Sequence, residues 1–336
     1  MSVLNLKDMK IKIFVPILLF LYSVVGLAAQ PHLECLPHAR GSLELMAIQP
    51  NFFTVSGRFG GFDPCESSVK FRTPAGSKNA PVILSVHGGG GVGDVLRSDE
   101  EFHKRGFATL AFDSYSMQGI VGRDAGFWAR SVSNEARQRM IFSTALAAYQ
   151  WVIQRTDVDT SRVYLFGISN GAAVVANLAA LVDPSHVKGV IAEGITPIGL
   201  GLPDEIKVPV FLAFGNLDNF GNPDLGGKRW TLTEDCRLNI QFKGVPKGTS
   251  HYCNQNSPPS SKIPNAMAWV DTIRKSGGTL ELVFIDDMAH SAFWGPLTIR
   301  RQTWGHGQTL DASLGATDAA REKFMKLMLE FIDRHK

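Results

Sequence analysis

Cysteine is scarce in this chain: four residues among 336, Cys35, Cys65, Cys236 and Cys253. None falls in a CxxC, no HExxH occurs and the carboxylates form no cluster, so the sequence offers no metal site. An excess of either charge is also missing. Thirty-four Lys and Arg against 31 Asp and Glu leave a formal net charge of +3, which argues against a nucleic acid or an acidic surface as partner. No internal repeat and no low-complexity tract longer than a loop is present, and nothing in the pattern sets an oligomeric state.

The one long charge-free apolar run lies near the start. Lys7, Lys10 and Lys12 precede Ile13–Ala29, which closes on the small residues GLAA before QPH. This is the layout of a secretory signal peptide cut after Ala28 or Ala29. The alternative, an uncleaved anchor, calls for about 20 apolar residues. Without residues 1–29 the chain keeps 31 basic and 30 acidic residues over about 307 positions, the length of one large α/β domain at 30–336. The expected location is secreted or periplasmic, with no membrane contact beyond export. All four cysteines follow the signal, and an even count in an exported chain suggests disulfides. Of three connectivities, Cys35 with Cys65 and Cys236 with Cys253 are favoured because each pair is close in sequence; buried free thiols are the alternative.

Apolar runs bounded by turn residues recur: PVILSV (81–86), FATLAF (107–112), RVYLFGI (162–168), VKGVIAEGI (187–195), VPVFLAFG (208–215) and TLELVFI (279–285). Their unbroken apolarity suits strands covered on both faces, as in a parallel sheet. Helical patterns alternate with them at 98–106 (with Ser98 as the expected N-cap), 134–154 and 318–332, and residues 43–74 are expected to add one or two antiparallel edge strands. Residues 219–264 break the rhythm. Rich in Gly, Pro, Asn and Ser, they read as a loop-rich insertion.

VHGGGGVGDV (86–95) admits two readings. Gly88, Gly90 and Gly93 fit G-x-G-x-x-G, with Asp113 placed 20 residues on as a ribose-binding acid would be. A dinucleotide loop should open a helix within its glycines, however, and the next N-cap signal is Ser98. The strand also ends in His87, and an exported enzyme would meet little free nicotinamide. The other reading is an oxyanion loop after a strand.

GISNG (167–171) decides between them, because a strand precedes it and a small-residue helix follows. That context makes Ser169 a candidate nucleophile on a sharp turn. A serine needs a base, and the base an orienting acid, in the chain order serine, acid, histidine. Asp218 in GNLDNF and His290 in DMAHSAFW each lie just past an expected strand. His251 and His306 compete for the base, and Asp286 and Asp287 for the acid; the former read as loop residues, the latter as a strand end. The oxyanion donors are expected from the backbone of Asn170 and of Gly89 or Gly90, with His87 bracing the loop.

With these pieces the chain resembles the α/β-hydrolase superfamily, and within it the dienelactone hydrolase-like branch, from about residue 80 to the C-terminus. AFDSYSMQGI (111–120) and VDTSRVYLFGISNG carry the likeness to the branch. The resemblance implies an α/β-hydrolase fold, a mostly parallel central sheet with helices on both faces. It also implies hydrolysis of a small-molecule ester or lactone through an acyl-enzyme on Ser169, without metal or organic cofactor. Dienelactone hydrolases proper use a cysteine nucleophile and an acid after the early strand, where this chain has Ser169 and a glycine run. Acyl transfer by the same triad and a non-catalytic binding role are the alternative functions.

Overall fold

In the computed structural model of the chain, the apolar runs become neighbouring strands. The structure describes residues 62–64, 67–118, 134–195, 200–218, 266–303 and 309–336, all within a unit spanning Pro37–Lys336. The four cysteines, residues 1–61 and the expected insertion at 219–264 lie outside the described residues.

Seven strands form one sheet: β1 (Lys70–Arg72), β2 (Pro81–Val86), β3 (Ala108–Ala111), β4 (Asp159–Ile168), β5 (Val187–Glu193), β6 (Val210–Gly215) and β7 (Leu280–Ile285). Their spatial order is β1-β3-β2-β4-β5-β6-β7. β1 is the expected antiparallel edge strand, with Phe71 opposite Leu110. The neighbours from β3 to β7 pair in parallel.

Helices α1 (Leu96–Lys104), α2 (Asn134–Val152), α3 (Asn170–Leu178), α4 (Ala266–Lys275) and α5 (Asp318–Arg334) connect or follow the strands. Side chains alternate across a strand, and both sides are covered. Val82, Leu84, Val163, Leu165 and Leu212 join Ile141, Val174 and Trp269 in one apolar layer. Ile83, Tyr164, Phe166, Phe211 and Ile285 join Phe102, Phe324, Met328 and Phe331 in the other. This is the α/β-hydrolase fold.

Two features differ from the sequence reading. α1 begins at Leu96 with Val95 in the cap position, so Ser98 lies inside the first turn, where its hydroxyl donates to the Val95 carbonyl at 2.8 Å. Asp99, in the first turn, is buried and paired with Arg72 at 2.8 Å. The second feature is a separate two-stranded antiparallel ribbon, β8 (Thr298–Thr303) with β9 (Thr309–Leu314). A strand therefore precedes WGHGQ, where the apolar pattern of the sequence marks none. His306 itself, at 304–308, lies outside the described residues, as does His251.

Candidate active site

β4 runs straight into α3, and the junction is Ser169 at φ 56°, ψ −116°. Such a backbone is strained for a residue with a Cβ and persists only where the surroundings enforce it. Two glycines permit the close approach. A methyl at Gly171 would lie 2.2 Å from the Val86 carbonyl oxygen, and one at Gly167 would lie 2.4 Å from that of Gly171. The Ser169 N–H donates to the Glu193 carbonyl at 2.9 Å, which ties the turn to the end of β5.

The loops after β6 and β7 press together at the same edge of the sheet. A methyl at Gly215 would meet the Met288 carbonyl oxygen at 2.0 Å, and Leu217 N–H donates to that carbonyl at 2.9 Å. The consequence is a meeting of two residues 72 positions apart: His290 Nδ1 and Asp218 Oδ2 lie 3.0 Å from each other, both buried. With Nδ1–H given to the carboxylate, the imidazole keeps its lone pair on Nε2. Burial pulls the His290 pKa down, but the Asp218 charge and hydrogen bond, with Glu193 and Asp94 behind them, leave it raised above 6.5. The β8–β9 ribbon contributes here. Its far end accepts the His290 N–H on the Ser313 carbonyl at 3.3 Å and donates Gly315 N–H to the His290 carbonyl at 2.9 Å.

Asp286 and Asp287 have other work. Asp286 accepts from the Asn216 amide, and Asp287, at φ 54°, accepts Thr317 N–H on its carbonyl at 3.0 Å.

The glycine loop crosses above the Ser169 turn. A methyl at Gly88 would stand 3.1 Å from Ser169 Cβ. His87 is buried and donates Nδ1–H to the Gly88 carbonyl at 2.7 Å, while its Nε2 accepts Ser114 N–H at 2.9 Å. Both nitrogens serve the backbone, which is the bracing arrangement. Tyr115 hydroxyl holds the Gly89 carbonyl at 3.1 Å. Gly90 N–H donates to Asp94 Oδ2 at 3.0 Å. Asn170 lies next to Gly89: a methyl there would be 3.2 Å from Asn170 Nδ2 and equally from Arg137 Nη1. Gln138 fixes the Asn170 amide, donating to Oδ1 at 2.9 Å while it accepts Leu200 N–H at 2.8 Å.

Asp94, Arg137, Gln138 and Glu193 were not singled out from sequence. Glu193 had a visible signal, a carboxylate at the end of the apolar run VKGVIAE. It is fully buried, and burial pushes its pKa up to about 7. Burial likewise raises Asp94, with His87, the Gly90 N–H and His290 acting in the opposite direction. Among the described residues no group of three or more His, Cys, Asp or Glu is arranged to hold a metal ion.

Comparison with known proteins bears on this arrangement. A curated relative, acyl-protein thioesterase 1 of Debaryomyces hansenii, is 29% identical over 130 residues, covering 37% of this chain and 53% of that protein. The chain thus spans about half the length of the curated relative it matches. Among solved structures, a dienelactone hydrolase-like promiscuous phosphotriesterase from metagenomic libraries superposes with a TM-score of 0.48 at 16% identity, over 80% of this chain and 92% of that one. The dienelactone hydrolase of Anabaena variabilis does so with a TM-score of 0.41 at 18% identity, over 66% and 81%. The family model of the dienelactone hydrolases matches residues 69–269, more than half the chain and the part that holds the glycine loop, the Ser169 turn and Asp218. The chain belongs to the dienelactone hydrolase family.

Proposed function

We propose that this protein is an exported serine hydrolase that cleaves carboxylic esters or lactones through an acyl-enzyme on Ser169. The observation that carries the reading is the 3.0 Å bond between His290 and Asp218 at the sheet edge where Ser169 sits on its strained turn. In this reading His290 Nε2 takes the proton of Ser169 as its oxygen attacks the acyl carbon. The alcohol then leaves with that proton, and water releases the acid by the same route in reverse. Asp218 holds the imidazole tautomer and stabilises its positive form. The backbone N–H groups of Gly89 and Asn170 receive the oxyanion, while Gly90 is committed to Asp94. Family membership supports a small ester or lactone as substrate. The name of the curated relative adds acyl thioesters to those worth offering.

Export rests on Lys7, Lys10 and Lys12 before the apolar run Ile13–Ala29, and the four cysteines beyond it fit two disulfides in a secreted or periplasmic protein. The decisive experiment is a fluorophosphonate probe. It should label Ser169 covalently, and Ser169→Ala should abolish labelling and lower kcat by at least ~10³ with the fold intact. Labelling that survives in the alanine variant places the nucleophile elsewhere.

A further inference from the structure

Glu193 ends β5 and takes no part in the reaction just described, yet this residue and its neighbour touch all three members of the triad. Its carbonyl accepts the Ser169 N–H at 2.9 Å. Its side chain reaches the other way: Oε1 accepts Ala292 N–H at 2.5 Å, two residues past His290, where the chain has just turned through Ser291 at φ 57°. The next residue, Gly194, is held at φ 56°, and a methyl there would lie 2.9 Å from His290 Nδ1 and 3.2 Å from Asp218 Oδ2. The carboxyl is fully buried, and its Oε2 has no hydrogen-bond partner.

A buried carboxyl with one oxygen unsatisfied is costly. A strut for one backbone N–H does not require it, since glutamine offers the same acceptor without a charge. What glutamine lacks is the negative field beneath His290. The charged and titratable groups facing Glu193 are His290 after β7, Asp218 after β6 and Asp94 after β2. Two of these are acids that oppose its ionisation, and the imidazole is the group that favours it.

We propose that Glu193 is a second acid of the site, a positioning residue that acts through His290. Its Oε1 fixes the loop that carries the imidazole, and its charge supports the imidazolium formed when Ser169 gives up its proton. This rests on the serine hydrolase reading above. Two variants of the full chain separate the two roles. Glu193→Gln keeps the bond to Ala292 and removes the charge; Glu193→Asp keeps the charge and falls one methylene short of the bond.

The direct readout is the titration of the His290 imidazole by NMR in the Ser169→Ala background, which requires no turnover. In Glu193→Gln it should move to lower pH, and the acid limb of kcat/KM measured with Ser169 present should move with it. In Glu193→Asp, kcat should fall about tenfold or more with KM nearly unchanged, as a loosened base predicts. An unmoved His290 titration in folded Glu193→Gln overturns the proposal, and so does parental kcat in folded Glu193→Asp, so either variant suffices if the other does not fold. A shifted titration in a protein that hydrolyses no ester would instead overturn the hydrolase reading and leave the coupling between Glu193 and His290 standing.

Discussion

Asp218 is held in place by its own turn, its N–H donating to the Gly215 carbonyl at 3.1 Å, and it presents Oδ2 to His290. Asp218→Asn should therefore leave KM nearly unchanged while kcat falls by about 10³ or more, because an amide favours the wrong imidazole tautomer. Partial recovery at high pH, where hydroxide replaces the base, is the accompanying signature. Asp286→Asn and Asp287→Asn should stay within about tenfold of the parent. Near-parental activity in Asp218→Asn, with loss in either of the others, reassigns the acid.

Glu193 gives a separate prediction in stability. Burial pushes the Glu193 carboxyl up to about 7, against 4.5 for an ordinary glutamate. Between those values the folded state binds more protons than the unfolded one, so this group's contribution falls as pH rises through the window. The difference is at most about 3 kcal/mol. Urea unfolding should show Glu193→Gln more stable than the parent at pH 8 and level with it near pH 4; equal curves at both values exclude an ionising buried carboxyl. The contrast between Asp218 and Glu193 also shows what was legible at this scale. Asp218 follows a strand in the expected chain order, whereas Glu193, Gln138 and Asp94 matter through contacts that only the folded chain creates.

The element that does most to build the site is the β4 to α3 junction, and its glycines are not equivalent to others in the chain. A methyl at Gly171 collides with two carbonyl oxygens of the β2 end, at 2.2 Å and 2.5 Å, whereas one at Gly93 meets nothing within 4 Å. Backbone cannot yield as a flexible side chain can. Gly171→Ala should cost about 3 kcal/mol or prevent folding, and Gly93→Ala should stay within about 0.5 kcal/mol of the parent. Denaturant midpoints of the two variants check this. A mild Gly171→Ala would mean that the Ser169 turn can relax.

This junction was readable because an apolar strand, a G-x-S-x-G and a small-residue helix all agree. The β8–β9 ribbon was not. TIRRQT and TLDASL lack the continuous apolarity of a strand covered on both faces, so nothing in their pattern marks them as strands. The ribbon nonetheless holds the His290 backbone. The start of α1 was misplaced for a local reason: Ser98 resembles an N-cap in sequence, but its hydroxyl turns back to a carbonyl of the preceding residues.

At the scale of the whole molecule, the sheet, both apolar layers and the candidate triad are assembled from described residues that include no cysteine. The expected disulfides carry a nominal stabilisation of about 3 kcal/mol for a loop the length of Cys236 to Cys253. If the chain is exported as proposed, two outcomes follow. Intact mass should give an N-terminus near Gln30, and alkylation under non-reducing denaturation should add nothing, while prior reduction should allow four alkyl groups, one per cysteine. Reduction alone should lower the thermal midpoint without abolishing labelling of Ser169 by the phosphonate probe, because the turns that carry Ser169, Asp218 and His290 follow strands of the one sheet. Uptake of four groups without reduction would show free thiols and remove the disulfides from the account. A retained N-terminal segment of 28 residues would turn the leading apolar run from a cleaved signal into an anchor. Loss of labelling on reduction would show that the cysteine-bearing segments shape the site after all.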